Sequence, residues 1–259
     1  MEFGTVWKYY FTQSLLKAAV RKPSEFNIAP NVLRPVVNRL CRLLPHNNNV
    51  QIRPLRLAGI RAEEIKPPSA ATQLIFHIHG GAFFLGGLHT HRALMTDIAA
   101  QSQMQVIHID YPLAPEHAFP EAIDAILDAY QAILAQGIQP KDVLVCGDSC
   151  GANLALALCL RLKQHPEHMP SGLILMSPFL DLTLSGESLR LNQEHDALLS
   201  IEALQAGIQH YLKDAIPADD PRVSPLFDDL SGLPPTMLQL GSKEILLDDA
   251  KRFKEKAEQ

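Results

Sequence analysis

The chain has 259 residues, of which 47% are hydrophobic and 20% are charged, and its formal net charge is −5. This composition predicts a globular protein with a buried core and excludes an intrinsically disordered chain. Acidic and basic residues are mixed along the sequence, so we expect no nucleic-acid partner, because such a partner requires a clustered basic surface. We interpret residues 1–259 as a single domain.

The first part of the chain is predicted to be helical. Residues 1–45 contain helical segments that are interrupted at prolines, and charged residues divide the apolar positions near the start. The longest uncharged run there, residues 9–16, is too short for a membrane span or a signal sequence. We therefore expect an amphipathic helix and a cytoplasmic protein without a membrane span. Residues 50–57 and 60–65 alternate in polarity around a glycine and predict an antiparallel hairpin.

From residue 74 onward, short apolar runs alternate with segments of helical periodicity. Strands are predicted at 74–78, 106–110, 143–146, 173–176 and 236–240. Helices are predicted at 91–101, 120–134, 154–162, 201–211 and 248–258. Strands that alternate with helices favour the α/β class, with a mostly parallel central sheet and helices on both faces.

The most informative stretch connects the strand at 143–146 to the helix that follows it. Gly147, Ser149 and Gly151 form a G-x-S-x-G pattern at this junction. Between a strand and a helix, the pattern predicts a sharp turn that exposes a nucleophilic serine at its apex. The helix directs its positive N-terminal end at charge that develops on a substrate. Ser149 is therefore the candidate catalytic nucleophile.

A second glycine-rich loop follows the strand at 74–78. Glycines in this position let backbone N–H groups approach a bound oxyanion, and acyl transfer to a serine needs such donors. We predict an oxyanion hole from four backbone N–H groups, those of Gly80, Gly81, Ala82 and Cys150. His79 is predicted to position the loop by hydrogen bonding.

These motifs resemble the hormone-sensitive-lipase-like branch of the α/β-hydrolases, which includes bacterial carboxylesterases and acetyl esterases. The resemblance runs from about residue 50 to the end and is carried by residues 79–83, 110–117, 147–151 and 241–249. It implies an α/β-hydrolase fold with an α-helical cap formed by about 1–45 and 181–221. It also implies a serine carboxylesterase that hydrolyses small, short-chain acyl esters through an acyl-enzyme, with no metal and no organic cofactor.

The resemblance further assigns roles to individual residues. Glu244 stands where the family usually has an aspartate, and it is the expected acid that orients the catalytic histidine. Asp248, one helical turn later, is its rival. Phe83 and Asp196 are expected to contact the substrate or the cap.

The sequence departs from the family pattern at three points. Ala82 replaces the third glycine of the oxyanion loop, and Pro112 replaces an arginine, so a local salt bridge is expected to be missing. In this fold the catalytic histidine follows the acid, but none of the eleven histidines follows Glu244. We therefore expect that the last strand and the histidine are missing and that this chain has little or no turnover. An unpaired edge at 236–240 would then favour edge-strand association or a homodimer.

Two alternatives remain open. The first is a metal-dependent hydrolase that uses His77 and His79, which lie on one face of a predicted strand. The second is a non-catalytic small-molecule-binding protein, because receptors in the same branch lack the catalytic histidine. The four cysteines have no metal-site spacing and are predicted to be buried free thiols.

Overall fold

The computed structural model describes residues 29–259, so the predictions for residues 1–28 lie outside the described part of the chain. The described chain begins with helix α1 (Pro30–Cys41). Strands β1 (Gln51–Leu57) and β2 (Ile60–Lys66) follow and pair as an antiparallel hairpin. The predicted hairpin is confirmed.

The remaining elements alternate between strands and helices. The strands are β3 (Leu74–Ile78), β4 (Gln105–Asp110), β5 (Val143–Asp148), β6 (Gly172–Met176) and β7 (Thr236–Gln239). The helices are α2 (Leu88–Ser102), α3 (Glu121–Leu134), α4 (Cys150–Leu162), α5 (Ser188–Leu191), α6 (Ile201–Leu212) and α7 (Leu247–Ala257). Helix α4 begins at residue 150 rather than at the predicted residue 154, because the glycine-containing motif masks the periodicity of its first turn.

In the described chain, seven strands form one sheet in the order β1-β2-β4-β3-β5-β6-β7. The pairs β1–β2 and β2–β4 are antiparallel, and all later neighbours are parallel. Strands β3 and β5 are neighbours, with Ile78 opposite Gly147. Their carboxyl ends therefore bring the loop after β3 and Ser149 to the same edge of the sheet, where ligands bind in open α/β sheets.

Helices cover both faces of the sheet. Because side chains alternate along a strand, Ile75 of β3 joins the apolar cluster beneath α2, while Phe76 joins the larger cluster beneath α3 and α4. Helix α2 contacts β2 and β4, and α4 contacts β3, β5 and β6. The predicted α/β arrangement, mainly parallel and covered on both faces, is confirmed.

Strand β7 forms one edge of this sheet. Among the described residues its outer side has no strand partner, and Met237 is 54% exposed. Unpaired edges favour association with another chain. Edge-strand association or a homodimer stays a prediction.

Two further predictions concern the state of the cysteines and the presence of membrane spans. Cys146, Cys150 and Cys159 are buried free thiols, and Cys41 is partly exposed and also free. No helix in residues 29–259 combines the length and the apolar character that crossing a membrane requires.

A buried carboxylate joins α7 to the chain that follows β6. Asp249 is 4% exposed, and its Oδ2 accepts hydrogen bonds from the backbone N–H groups of Leu180 (2.7 Å) and Asp181 (3.0 Å). The Asp181 carboxylate in turn pairs with Arg252 of α7 at 2.7 Å. Burial raises the pKa of Asp249 to about 7, although the two N–H donors act in the opposite direction.

We expect Asp249→Asn to stabilise the folded state more at pH 8 than at pH 5. The pKa of Asp249 is higher in the folded than in the unfolded state, so ionisation costs the folded state increasing stability between about pH 4 and about pH 7. One asparagine oxygen can keep both hydrogen bonds while the charge is removed. Urea unfolding at the two pH values measures the difference, with the exposed Asp219→Asn as the control. An identical effect of Asp249→Asn at both pH values would contradict the argument.

Candidate active site

The predicted nucleophile lies at the junction between β5 and α4. Ser149 has φ +52° and ψ −122°, a strained conformation that non-glycine residues rarely adopt. The turn requires glycine on both sides of the serine. A Cβ on Gly147 would lie 2.3 Å from the Gly151 carbonyl oxygen, and one on Gly151 would lie 2.2 Å from the Ile78 carbonyl oxygen. Ser149 is therefore held at the apex of the predicted turn, before the N-terminus of α4.

The loop after β3 brings backbone N–H groups to this serine. Among the described residues, the N–H groups of Ala82 and Cys150 donate to no protein acceptor, and the N–H of Gly81 is directed at the Cys150 sulfur. Ala82 and Ser149 also border one cavity. Of the four predicted oxyanion donors, two are thus without an acceptor among the described residues and a third is directed at a sulfur atom.

Gly80 requires a correction to the predicted oxyanion hole. Its backbone N–H donates to Oδ1 of Asp148 at 3.0 Å, so it is not available to an oxyanion. The sequence pattern did not show this, because the acceptor is a side chain 68 positions away.

His79 makes the contacts of a loop-positioning residue, as predicted. Its Nδ1 donates to the Gly80 carbonyl oxygen at 2.9 Å, and its ring stacks on Tyr111 with 4.3 Å between centroids. The Tyr111 hydroxyl donates to the His79 carbonyl oxygen at 2.8 Å. Burial, together with the charge on His91, lowers the pKa of His79 to about 3, so the ring is neutral at physiological pH.

Of the two contacts expected for Phe83, with the substrate or with the cap, its side chain makes the contact with the segment predicted to form the cap. Its side chain is 1% exposed and stacks on Tyr211 of α6, with 4.0 Å between ring centroids. The next residue, Phe84, lines the cavity beside Ser149 instead. Phe83 therefore joins the loop to α6, which lies within the predicted cap.

Glu244 is better placed than Asp248 to be the acid of a catalytic triad. Its Oε1 accepts the Gly241 N–H at 2.6 Å, whereas its Oε2 is buried and has no hydrogen-bond partner among the described residues. Glu244 borders the same cavity as Ser149. The Asp248 carboxylate is already used, because its Oδ2 accepts the Ser188 N–H at 2.7 Å.

Asp196 positions the loop that carries Glu244. Its Oδ1 accepts the N–H groups of Leu198 and Leu199, and its Oδ2 accepts the Ile245 N–H at 2.9 Å. Asp196 also borders the cavity that contains Ser149 and Glu244. It therefore lies within the segment predicted to form the cap and joins that segment to the loop of Glu244 through backbone donors.

Two cavities meet at Ser149. One, of about 460 Å³, lies between residues 195–199 and 241–244 and is bordered by His195 and Glu244. The other, of about 530 Å³, lies between the loop after β3, α1 and α6, and is bordered by Phe84 and His210. Ser149, the candidate nucleophile, thus borders a mostly apolar space on one side and the cavity of the candidate acid on the other.

Comparison with known proteins agrees with this geometry. A family model described as the alpha/beta hydrolase fold matches residues 75–259. An esterase of Acinetobacter venetianus is 76% identical over 259 residues, which are 100% of this chain and 86% of that protein. The chain belongs to the α/β-hydrolase family.

Further similarities place this hydrolase in the hormone-sensitive-lipase-like branch. An acetyl-hydrolase of Streptomyces hygroscopicus is 30% identical over 244 residues, covering 86% of this chain and 81% of that protein. The crystal structure of a hormone-sensitive lipase from a metagenome library superimposes with a TM-score of 0.90 at 32% identity, covering 96% of this chain and 83% of that chain. By family, the hydrolase is a carboxylic ester hydrolase.

The hydrolase buries a group of histidines beneath the site. His77 and His108 approach each other at 2.9 Å between their Nδ1 atoms, and the Nδ1 of His79 is bonded to a backbone carbonyl oxygen. Within residues 29–259, no group of three or more potential ligand side chains is arranged to hold a metal ion. The geometry therefore does not support the metal-dependent alternative based on His77 and His79.

Asp148 and His91 are site residues that the sequence analysis did not single out. The His91 Nε2 donates to Asp148 Oδ2 at 3.1 Å. Burial would raise the pKa of Asp148, but the charge of His91 and hydrogen bonds from His77 and His91 hold it well below its usual value. Burial would lower the pKa of His91, but the Asp148 carboxylate outweighs it and raises that pKa. The only sequence signal was the position of Asp148 next to the nucleophile.

Arg34 is a third residue that the sequence did not reveal. From α1 its Nε donates to the Phe84 carbonyl oxygen at 2.6 Å, and its Nη2 donates to the Ala114 carbonyl oxygen. The same guanidinium pairs with Glu116 at 2.8 Å. An arginine from a distant helix therefore supplies a salt bridge near Pro112, where the sequence analysis expected one to be missing.

We expect Gly207→Ala to destabilise the hydrolase, although alanine favours helices by about 1 kcal/mol over glycine. Gly207 of α6 packs against the oxyanion loop, and an added Cβ would lie 2.5 Å from the Ala82 carbonyl oxygen. Either the loop or α6 must then move. Thermal unfolding measures the effect, with Gln205→Ala at an exposed position of α6 as the control. A melting temperature raised by Gly207→Ala would contradict the contact.

Proposed function

We propose that this hydrolase is a serine carboxylesterase that cleaves small, short-chain acyl esters through an acyl-enzyme on Ser149. The observation that carries the proposal is Oε2 of Glu244, which is buried without a hydrogen-bond partner among the described residues. The Glu244 side chain borders the same cavity as Ser149. Buried carboxylate oxygens are normally hydrogen-bonded. In a serine hydrolase, the partner of such an acid is the far N–H of the histidine base.

The first step is attack of the Ser149 hydroxyl on the ester carbonyl. Negative charge then develops on the former carbonyl oxygen, where backbone donors stabilise it most. The N–H groups of Ala82 and Cys150 are open to it, and Gly81 can exchange its sulfur contact for the oxyanion. The positive end of α4 adds to this stabilisation. The alcohol leaves, and water hydrolyses the acyl group from Ser149 in the second step.

The mechanism also needs a base, and in this family the base is a histidine that follows the acid in the sequence. None of the eleven histidines of this chain follows Glu244. A serine hydroxyl without a base keeps little nucleophilicity, so we propose that these 259 residues alone turn over esters slowly. His195 borders the same cavity, but its side chain is exposed, and no described hydrogen bond joins it to Ser149 or Glu244.

Hydrolysis of p-nitrophenyl acetate tests the mechanism and the missing base together. We expect the 259-residue chain to be about 10⁴- to 10⁶-fold less active than a chain extended by a strand and a histidine-bearing loop, because removal of a triad histidine costs up to about 10⁶-fold in kcat. In the extended chain, Ser149→Ala and Glu244→Gln should each lower kcat, while Ser231→Ala on the surface should not. Full activity of the 259-residue chain that is lost in His195→Gln would instead assign the base to His195.

The cap is proposed to consist of residues 1–45 and 181–221, of which residues 29–45 and 181–221 are described. Leu33 and Val37 of α1 and Ala203 and Ala206 of α6 border the larger cavity at Ser149. These apolar side chains, with Phe84, suit a short acyl chain. The volume of about 530 Å³ supports a small ester as the substrate.

The second candidate function is non-catalytic binding of a small molecule in the same cavity. It requires only the cavity of about 530 Å³ that Ser149 borders. An extended chain that binds small esters but neither hydrolyses them nor forms an acyl-enzyme would support this candidate over the esterase.

A further inference from the structure

We propose that the two side chains flanking the nucleophile, Asp148 and Cys150, are positioning residues that hold the oxyanion loop from both sides. Asp148 binds the loop at Gly80, and Cys150 binds it at Phe83. Between these anchors lie the Gly81 N–H, which is directed at the Cys150 sulfur, and the Ala82 N–H, which has no acceptor among the described residues. This inference rests on the proposed function, because the direction of the donors matters only if an oxyanion forms there.

The first anchor is a charged hydrogen bond. Oδ1 of Asp148 accepts the Gly80 N–H at 3.0 Å, and the opposite oxygen accepts from His91 Nε2 at 3.1 Å. His77 Nε2 approaches Oδ1 at 3.4 Å. Hydrogen bonds to an ionised acceptor are about twice as strong as neutral ones. The carboxylate is therefore held from below by the hydrogen bond from His91, with His77 close to it, and it holds the start of the loop above.

The second anchor is a buried thiol. Sγ of Cys150 accepts the Phe83 N–H at 3.1 Å, and both side chains are at most 1% exposed. Burial raises the pKa of this thiol to about 12, so it acts as a neutral acceptor. Among the described residues, the Phe83 N–H has no other acceptor. A buried N–H that loses its acceptor costs about 1–3 kcal/mol.

The loop needs such anchors because its backbone is strained. Gly81, Ala82 and Phe83 have φ values of +129°, +51° and +66°. For residues with a Cβ, this region costs roughly 1–2 kcal/mol per residue. A loop free to relax would leave this region and turn its N–H groups away from Ser149. The anchors on either side therefore hold the direction of the donors.

His91 also compensates the negative charge that Asp148 places next to Ser149. An isolated Asp148 carboxylate would repel a developing oxyanion, but the raised pKa of His91 favours a compensating cation. The other imidazoles that face this pair remain neutral, because burial lowers the pKa values of His77, His79 and His108. The Gly80 N–H can thus donate to the Asp148 carboxylate while His91 balances its negative charge beside the oxyanion.

The thiol anchor is tested with Cys150→Ala and its matched control Cys159→Ala. Cys159 lies on the same helix and is equally buried, but no hydrogen bond joins it to another described residue. Amide hydrogen exchange at Phe83 is measured on the 259-residue protein, and the rate at which an aryl phosphonate labels Ser149 is measured on the chain extended by a strand and a histidine-bearing loop. We expect Cys150→Ala to accelerate exchange and slow labelling by about tenfold each, the factor for 1.4 kcal/mol, and Cys159→Ala to change neither by more than about twofold.

The carboxylate anchor is tested with Asp148→Asn, with Asp249→Asn as a buried carboxylate that also accepts backbone N–H groups elsewhere. Asparagine keeps an oxygen for Gly80 but loses the charge that His91 pairs with. We expect an upfield shift of the Gly80 amide proton and labelling slower by about tenfold.

Cys150→Ser should restore part of the rate lost in Cys150→Ala, because a hydroxyl also accepts the Phe83 N–H.

The inference is overturned if each site variant matches its control in both readouts, since the side chains would then only fill space. Exchange and amide shifts do not depend on chemistry at Ser149. If the extended chain without substitutions is never labelled, the proposed function fails, while the exchange data on the 259-residue protein still decide whether the loop is anchored as proposed.

Discussion

The close approach of the β5–α4 turn to the end of β3 is the constraint on which the whole site depends. The backbone at Gly151 lies so near the Ile78 carbonyl oxygen that no side chain fits between them. The same turn is joined to β6, because the Ser149 N–H donates to the Met176 carbonyl oxygen at 2.9 Å. Three strand ends therefore converge on one serine. The strain at Ser149 is retained because its neighbours on both sides are fixed.

The acid loop depends on a different part of the chain. Asn192 Nδ2 donates to the Glu244 carbonyl oxygen at 2.8 Å, and Asp196 accepts the Ile245 N–H. Ser188 makes two further bonds in this region, because its N–H donates to the Asp248 carboxylate and its hydroxyl oxygen accepts the Asp248 N–H. Residues 188–196 thus orient the loop that carries Glu244. A segment that borders the cavity also determines where the acid carboxylate points, so movement of this segment would affect binding and acid position together.

The sequence was sufficient for the fold because strand and helix periodicity, and the glycines at the turns, are local signals. Ser149 was likewise found from neighbours within two positions. The role of the Gly80 N–H and the burial of Phe83 were not predictable, since both depend on partners more than sixty residues away. Arg34 left no signal either, because its acceptors are backbone carbonyl oxygens of distant loops. Sequence patterns located the site, whereas packing between elements determined which groups are open in it.

The oxyanion loop is also held on the side that faces the cap. Phe83 stacks on Tyr211, the Ala82 carbonyl oxygen contacts Gly207, and Arg34 binds the carbonyl oxygen of Phe84. The turn beneath the loop supplies acceptors for its N–H groups, while α1 and α6 hold its side chains and carbonyl oxygens. Because a strained loop keeps its shape only where both surfaces hold it, the helices over the cavity do more than cover a substrate. They form one of the two surfaces that hold the loop in its strained conformation.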